Sequence, residues 1–434
     1  MKSKFSARAR GIAWLCTLVY FASYLMRKNF SVMLLKITTE LSETSGLPIE
    51  TVDFSLSIVL SAMTVLYGLG QVINGVLGDR IPPSHMLTAG LSLAALCNIA
   101  ITLCGDSFTL MAVVWAVNGF AHAMLWPPIV RLLSTYLNDE EYSYAAVRVS
   151  WGSSFATIFL YLLCPALLSF MSWRVIILSL AVIGIGVAVA WTLLFPRVFG
   201  KQAASETTGE TAPEKASKEP KKRVPPPKSV WFPIVLIFVA IVLQGMLRDG
   251  LNDWMPKYLN QSFSLDVEES IFYTVLLAVF SILSFVAANF LHRRFFKNEV
   301  TCSGVIFAIA ALCSAALFFL RNSMIAAILL MSVIVAAMHG INLMLITVVP
   351  KRFLKSGRVS TFSGIFNAGT YVGSAVAVPA FAVISNNLDF GNSSWAYTLI
   401  LSSLVVSTLG AVMCFIAVPL WKRFRKNYAD NPEV

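Results

Sequence analysis

Long apolar runs separated by short polar segments dominate this chain. A helix crossing a hydrocarbon core about 30 Å thick needs roughly 20 largely apolar residues. Twelve stretches meet that length: 11–35, 55–78, 84–104, 109–133, 143–168, 173–195, 231–258, 268–291, 300–320, 323–349, 359–385 and 394–420. Only helices and closed barrels satisfy every backbone group in lipid. These runs are too long and too continuous for barrel strands of about 9–11 alternating residues. The pattern therefore predicts an all-α membrane protein with twelve transmembrane helices. The one long polar segment, 196–230, is rich in Lys, Glu, Ser and Thr and closes on Pro225–Pro227. It cannot bury apolar surface, and a disordered basic cytoplasmic linker is expected there. It divides the chain into an N-terminal six-helix half, 1–195, and a C-terminal six-helix half, 231–420, with a cytoplasmic tail at 421–434. Two parallel halves, each of inverted three-helix repeats, fit that division.

Composition agrees. Apolar residues make up 57% of the 434 and charged ones 13%, with a mean hydropathy of +0.74. A soluble domain carries about 25% charged residues, so a soluble enzyme, a disordered chain and a nucleic-acid-binding protein are all excluded. The net charge of +11 is better explained by topology. With the N-terminus inside, twenty-four basic residues fall on inner segments, including Arg80, Arg293, Arg294, Lys297, Lys351, Arg352, Lys422, Arg425 and Lys426. Only Lys36, Arg174, Lys257 and Arg321 fall outside. The positive-inside rule then places both termini in the cytoplasm of a multi-pass protein of the cell (inner) membrane. The seven cysteines all sit in apolar runs without C-x-x-C spacing, so no disulfide framework and no metal site is indicated. No cofactor motif, nucleophile–base pair or phosphate-cradling loop occurs, and an enzyme is not expected.

Five basic residues remain after this subtraction: Arg27, Lys28, Arg131, Arg148 and Arg248. Arg27 follows Arg10 by 17 residues, roughly 25 Å along a helix. Arg248 lies at a similar depth in the first helix of the second half. A cation at such depth costs about 2.5–3.5 kcal/mol and normally faces a cavity. Two arginines at matching places are expected to meet across a central cavity, with two structural salt bridges as the other reading. Only Asp249 and Asp253 oppose them well inside a span. That excess of fixed cations favours an anionic substrate, since Arg offers phosphate or carboxylate a bidentate fork. Tyr20, Tyr24, Arg27 and Ser31 share a face of helix 1, and Gln244, Arg248 and Asn252 share a face of helix 7. Tyr20 reads equally well as interhelical packing.

At these positions the chain resembles the organophosphate:phosphate antiporter family of the major facilitator superfamily, which includes glycerol-3-phosphate and hexose-phosphate transporters. The segments that carry the resemblance are Tyr20-x-x-x-Tyr24-Leu-Met-Arg27-Lys28-Asn29-Phe30, Tyr67-Gly68, Gly75-Val-Leu-Gly78-Asp79-Arg80, Trp126-Pro127-Pro128-x-x-Arg131 and Arg248-Asp249-Gly250-Leu-Asn252-Asp253-Trp254-x-Pro256. The resemblance implies the major facilitator fold and alternating access, with an organic phosphate exchanged for inorganic phosphate. It implies that Arg27 and Arg248 hold the phosphoryl group, with Lys28, Tyr20, Tyr24, Tyr67, Asn252 and Trp126 around the substrate. Asp253, with Asp79, Arg80 and Arg131, then belongs to gating or salt bridges. The expected partners are a small anionic substrate, inorganic phosphate and the lipid bilayer, with no nucleic acid and the chain a monomer.

The chain also departs from the family. Span 143–168 lacks the histidine of the glycerol-3-phosphate type, span 268–291 lacks an acidic residue beyond Glu268 and Glu269, and Gln71 stands where that type has a lysine. Arg148 is an additional cation, either a third substrate ligand or an inner-gate partner for Asp139–Glu141. His339, Asn342, Asn367 and Tyr371 read either as contacts for the organic part of a substrate or as ordinary interhelical bonding. Two other functions stay open: a carboxylate or sugar-acid carrier of the same superfamily, and a transporter-like sugar-phosphate sensor.

Overall fold

The computed structural model describes residues 5–200, 224–265, 267–387 and 394–431. The centre of the expected linker, 201–223, lies outside the described residues. Its margins are ordered: Pro196–Phe199 complete a helix, Val224 donates its N–H to the Lys355 carbonyl, and Lys228–Val230 form a 3-10 turn.

Every regular element among the described residues is helical. The first unit comprises Met1–Arg223 and Gly357–Ile365, and the second Val224–Ser356 and Phe366–Val434. In the first lie α1 (Ala7–Val32), α2 (Leu34–Ser45), α3 (Ile49–Gly78), α4 (Pro83–Ile101), α5 (Phe108–Ala123), α6 (Trp126–Tyr136), α7 (Asp139–Leu168) and α8 (Trp173–Phe199). The second holds α9 (Trp231–Phe263), α10 (Val267–Arg294), α11 (Glu299–Leu320), α12 (Met324–Asn342) and α14 (Ser394–Phe424). Helix α13 (Val359–Asn387) starts in the first unit and continues in the second. Among the described residues eleven helical spans are long and apolar enough to cross a membrane, α5 and α6 together counting as one. The expected span 359–385 forms α13, which is not among the eleven.

Polar residues at the mouths start these helices. Ser6, Ser107, Ser172 and Ser323 each accept a backbone N–H of the first turn, and Asn138 with Glu141 makes a full capping box on α7. Between the mouths, apolar side chains face outward: Leu162 is 73% exposed, Leu312 71% and Val182 66%. A water-soluble protein does not present such a surface, and lipid covers it without cost.

The structure departs from the apolar pattern at three places. Expected span 109–133 is two helices, α5 and α6, broken at Met124–Leu125. Pro127 and Pro128 lack the N–H that a continuous helix would require. The run 11–35 ends early at Val32, and α2 continues as a separate helix. Span 323–349 widens into a π-helix at Leu343–Val348, just ahead of Pro350, whose ring and missing N–H disfavour the preceding α turn.

Close helix approach depends on glycine at a few points. A Cβ on Gly119 would lie 2.3 Å from the Met63 carbonyl oxygen, and one on Gly373 would lie 2.0 Å from that of Val242. Pairs α3/α5 and α9/α13 therefore pack nearly backbone to backbone, as small residues allow in membranes.

Candidate functional site

In the first unit one arginine and four aromatic rings come together. Tyr20, Tyr24 and Arg27 are presented by α1 at i, i+4 and i+7, Tyr67 by α3, and Trp126 by the start of α6. The Arg27 guanidinium lies 3.8 Å from the Tyr67 ring centroid and 5.4 Å from that of Tyr24. Tyr20 bridges outward, 5.1 Å from Tyr24 and 4.9 Å from Trp126. Arg27 is 9% exposed and Tyr67 2%, so the cation is buried against aromatic faces. Such contacts contribute about 0.5–2 kcal/mol and fix the plane of the guanidinium, which sets the direction of its bidentate edge. Lys28, the next residue, is exposed.

An asparagine network that the sequence did not flag positions this segment. Asn29 donates Nδ2–H to Asn98 Oδ1 at 2.7 Å, and Asn98 donates to the Met26 carbonyl at 3.0 Å and to Asn118 Oδ1 at 3.4 Å. All three are fully buried, so α4 and α5 hold the α1 backbone at the residue preceding Arg27. Isolated asparagines inside the apolar runs of α4 and α5 were the available signal. His122 Nδ1 lies 3.1 Å from Ser23 Oγ on the same helix as Arg27. Gln71, one turn beyond Tyr67, is fully buried, and neither its Oε1 nor its Nε2 has a hydrogen-bond partner. An unpaired buried amide costs about 1–3 kcal/mol, and a polar ligand would relieve that cost.

Arg148 of α7 lies among aromatic rings. Its guanidinium lies 3.9 Å from the Tyr144 ring centroid, 5.7 Å from Trp151 and 5.9 Å from Trp14. Among the described residues its buried Nε has no hydrogen-bond partner. Glu141 is engaged in the α7 capping box and accepts from Ser6 Oγ.

In the second unit Arg248 is engaged by its neighbour. Its Nε and Nη2 donate to the two oxygens of Asp249 at 2.6 and 2.7 Å. Asp249 also accepts from Ser374 Oγ of α13. The sequence marked Asp249 as deep in the span and assigned it no role. The Tyr371 ring lies 5.8 Å from Arg248. Gln244, one turn earlier, donates to the Met338 carbonyl at 3.0 Å and accepts from Thr370 Oγ1 at 3.4 Å, so it joins helices. Asn252 and Asp253 are exposed on α9. Asn367 is buried, Asn342 is half-buried, and the His339 ring packs edge-on to Phe285 at 5.8 Å.

The residues assigned to gating show a different chemistry. Asp79 takes a helix N-terminus as its partner. Its oxygens accept the backbone N–H groups of Ser360 and Thr361 at 2.8 and 2.9 Å and Thr361 Oγ1–H at 2.6 Å. A carboxylate there satisfies the orphan donors of α13 and complements its dipole. Arg131 donates to the carbonyls of Gly78 and Ile81 at 2.5 and 3.2 Å, holding the turn that presents Asp79. Arg80 is exposed.

Burial pushes the Asp79 carboxyl above the ordinary 3.8, and the three hydrogen bonds and Arg131 act against that rise. A raised carboxyl value means that the folded chain holds this proton more tightly than the unfolded one. The contribution from Asp79 is thus fully present below about 3.8 and is lost as pH rises through the folded value. Thermal unfolding of Asp79→Asn between pH 4 and 7 should lack that share of the slope while wild type retains it. Parallel curves for the two proteins would contradict the assignment.

Comparison with known proteins now bears on this geometry. The family model described as the Major Facilitator Superfamily matches residues 16–378. A glycerol-3-phosphate transporter of Bacillus subtilis (strain 168) is 25% identical over 412 residues, covering 89% of this chain and 88% of that one. A probable hexose phosphate transport protein of Chlamydia muridarum (strain MoPn / Nigg) is 22% identical over 325 residues, covering 68% of this chain and 66% of that one. Among solved structures, a proton:xylose symporter of the superfamily bound to 6-bromo-6-deoxy-D-glucose aligns with a TM-score of 0.72 at 12% identity, over 98% of both chains. That likeness concerns the fold alone. With the all-helical architecture and a match across most of its length, the chain belongs to the Major Facilitator Superfamily, as a multi-pass membrane transporter and not an enzyme.

Proposed function

We propose that the protein is a secondary active transporter of an organic phosphate anion, working by alternating access in exchange for inorganic phosphate. The observation that carries this reading is Arg27, buried within the apolar helix α1 and stacked on Tyr67. A guanidinium held there at a cost of a few kcal/mol is suited to a divalent anion. The names of the bacterial relatives, a glycerol-3-phosphate transporter and a hexose phosphate transport protein, support the same substrate class. In this proposal Arg27 and Arg248 both ligate the phosphoryl group and Gln71 adds a neutral donor. Lys28 and Asp253 take part in closure. The inward bias of the basic residues supports an inner-membrane protein with both termini cytoplasmic, and the chain acts as a monomer.

Asp249 gives Arg248 a resident carboxylate on its bidentate edge. A phosphoryl group arriving at that edge competes with Asp249, which keeps Ser374 as a partner when displaced. Removing the competitor in Asp249→Asn should lower the apparent KM for phosphate roughly tenfold, about 1.4 kcal/mol, and slow turnover because release becomes harder. An unchanged or higher KM would show that Asp249 does not compete with substrate.

The test uses purified protein in proteoliposomes loaded with inorganic phosphate. Uptake of glycerol 3-phosphate should require internal phosphate, be inhibited by external phosphate, and be indifferent to a sugar acid. Uptake blocked by the sugar acid and insensitive to phosphate would establish a carboxylate carrier instead. Binding without uptake would establish a sensor.

A further inference from the structure

Where α10, α11 and α14 end together, the second unit carries a groove of about 540 Å³. Lys297, Lys422 and Lys426 line it, all three are exposed, and none has a carboxylate partner among the described residues. The carboxylate in the lining, Asp430, is already neutralised: it accepts from Arg425 Nε at 2.9 Å and from Arg352 Nη1 at 3.1 Å. Against this positive rim stands the N-terminus of the 22-residue helix α11, the end of a helix that favours anions.

Two buried donors at this end lack a partner. Asn298 caps α11, its Oδ1 accepting from Val300 N at 3.0 Å and Thr301 N at 2.9 Å. Among the described residues its Nδ2 has no hydrogen-bond partner although the residue is only 8% exposed, and the buried Oγ1 of the half-buried Thr301 has none either. Both residues line the groove. Buried donors are nearly always paired in folded proteins, so charge bias toward one side of a membrane does not account for this pair. An anionic oxygen does.

The groove's other edge is apolar. Phe295 lines it at 62% exposure, and Phe290 lies beside that ring at 5.9 Å with 58% exposure. Lysines over a helix N-terminus next to bare aromatic rings, at the level where three spans end, match a headgroup with acyl chains attached better than a free ion. We propose that this groove binds an anionic phospholipid, with the phosphodiester at Asn298, Thr301 and the three lysines and the chains along Phe290 and Phe295. The proposal stands independently of the transported substrate.

Full-length protein in phosphatidylcholine bilayers with a small fraction of spin-labelled phosphatidylglycerol tests it. Wild type should hold a motionally restricted lipid fraction that prefers the anionic label over spin-labelled phosphatidylcholine. The exposed-lysine variant Lys297→Gln/Lys422→Gln/Lys426→Gln should lose that preference by at least roughly tenfold. Asn298→Asp retains the capping acceptor and replaces the unpaired donor with a carboxylate, so it should lose a similar factor. Unchanged preference in both variants would overturn the proposal. Loss in the lysine variant alone would reduce it to diffuse attraction and overturn the built site. Displacement of the label by millimolar inorganic phosphate would overturn the lipid in favour of a free-phosphate site.

Discussion

Arg27→Ala should lower kcat/KM for organophosphate exchange by more than about 100-fold, roughly 3 kcal/mol of lost charge-assisted contact. Arg27→Lys keeps the charge but not the fork, so it should recover only part of that loss. Arg248→Ala should be comparably damaging despite the Asp249 partner, because the anion would then meet a carboxylate without its counter-charge. The rival reading, in which these arginines are structural, predicts a different signature. A buried cation in a span is costly to insert, and the Arg27 contacts with Tyr67 and Tyr24 offset only part of that cost. Thermal stability of Arg27→Ala in detergent should therefore equal or exceed that of wild type. A large drop in melting temperature with substrate affinity intact would support the structural role.

The second large effect is expected far from the substrate. Glu299 is fully buried and accepts from Arg352 Nε at 3.1 Å, Arg425 Nη1 at 2.9 Å and Trp421 Nε1 at 3.0 Å. It fastens the start of α11 to α14 and to the segment after α12. Removing one partner of a buried ionic cluster costs about 3–5 kcal/mol, since the remaining charges stay buried without compensation. Asp430 still faces both arginines, so Glu299→Ala should fall near the lower end, about 3 kcal/mol. The readout is a strongly lowered unfolding midpoint with an unaltered KM in the folded fraction. A midpoint within a degree of wild type would show that the cluster does not hold these helices.

Much of the helical plan was legible in the sequence because one physical quantity, apolar length, sets it. The run that became α9 could be read directly. Two of the failures share a cause: they depend on partners remote in the chain. Arg352 and Arg425 carry positive charge, and the topology reading counted them as orienting residues. The structure shows them satisfying a buried glutamate more than fifty positions from either. Asp79 lies in a recognisable turn, yet its partner is the N-terminus of a helix that begins about 280 residues later. The Asp249 pairing was missed for the opposite reason. Adjacent helix residues do not face each other by spacing alone, and a long guanidinium side chain folding back onto its neighbour leaves no periodic trace. Trp126-Pro127-Pro128 was read for chemistry, while its missing N–H groups also predicted the break between α5 and α6.

The central proposal is that Arg27 and Arg248 both ligate the phosphoryl group of the substrate. Equilibrium binding of radiolabelled inorganic phosphate to the purified protein tests it most directly. The account predicts one phosphate per chain, displaced competitively by glycerol 3-phosphate and lost in Arg27→Ala and in Arg248→Ala alike. Two phosphates per chain, or binding that survives either substitution unchanged, would contradict it.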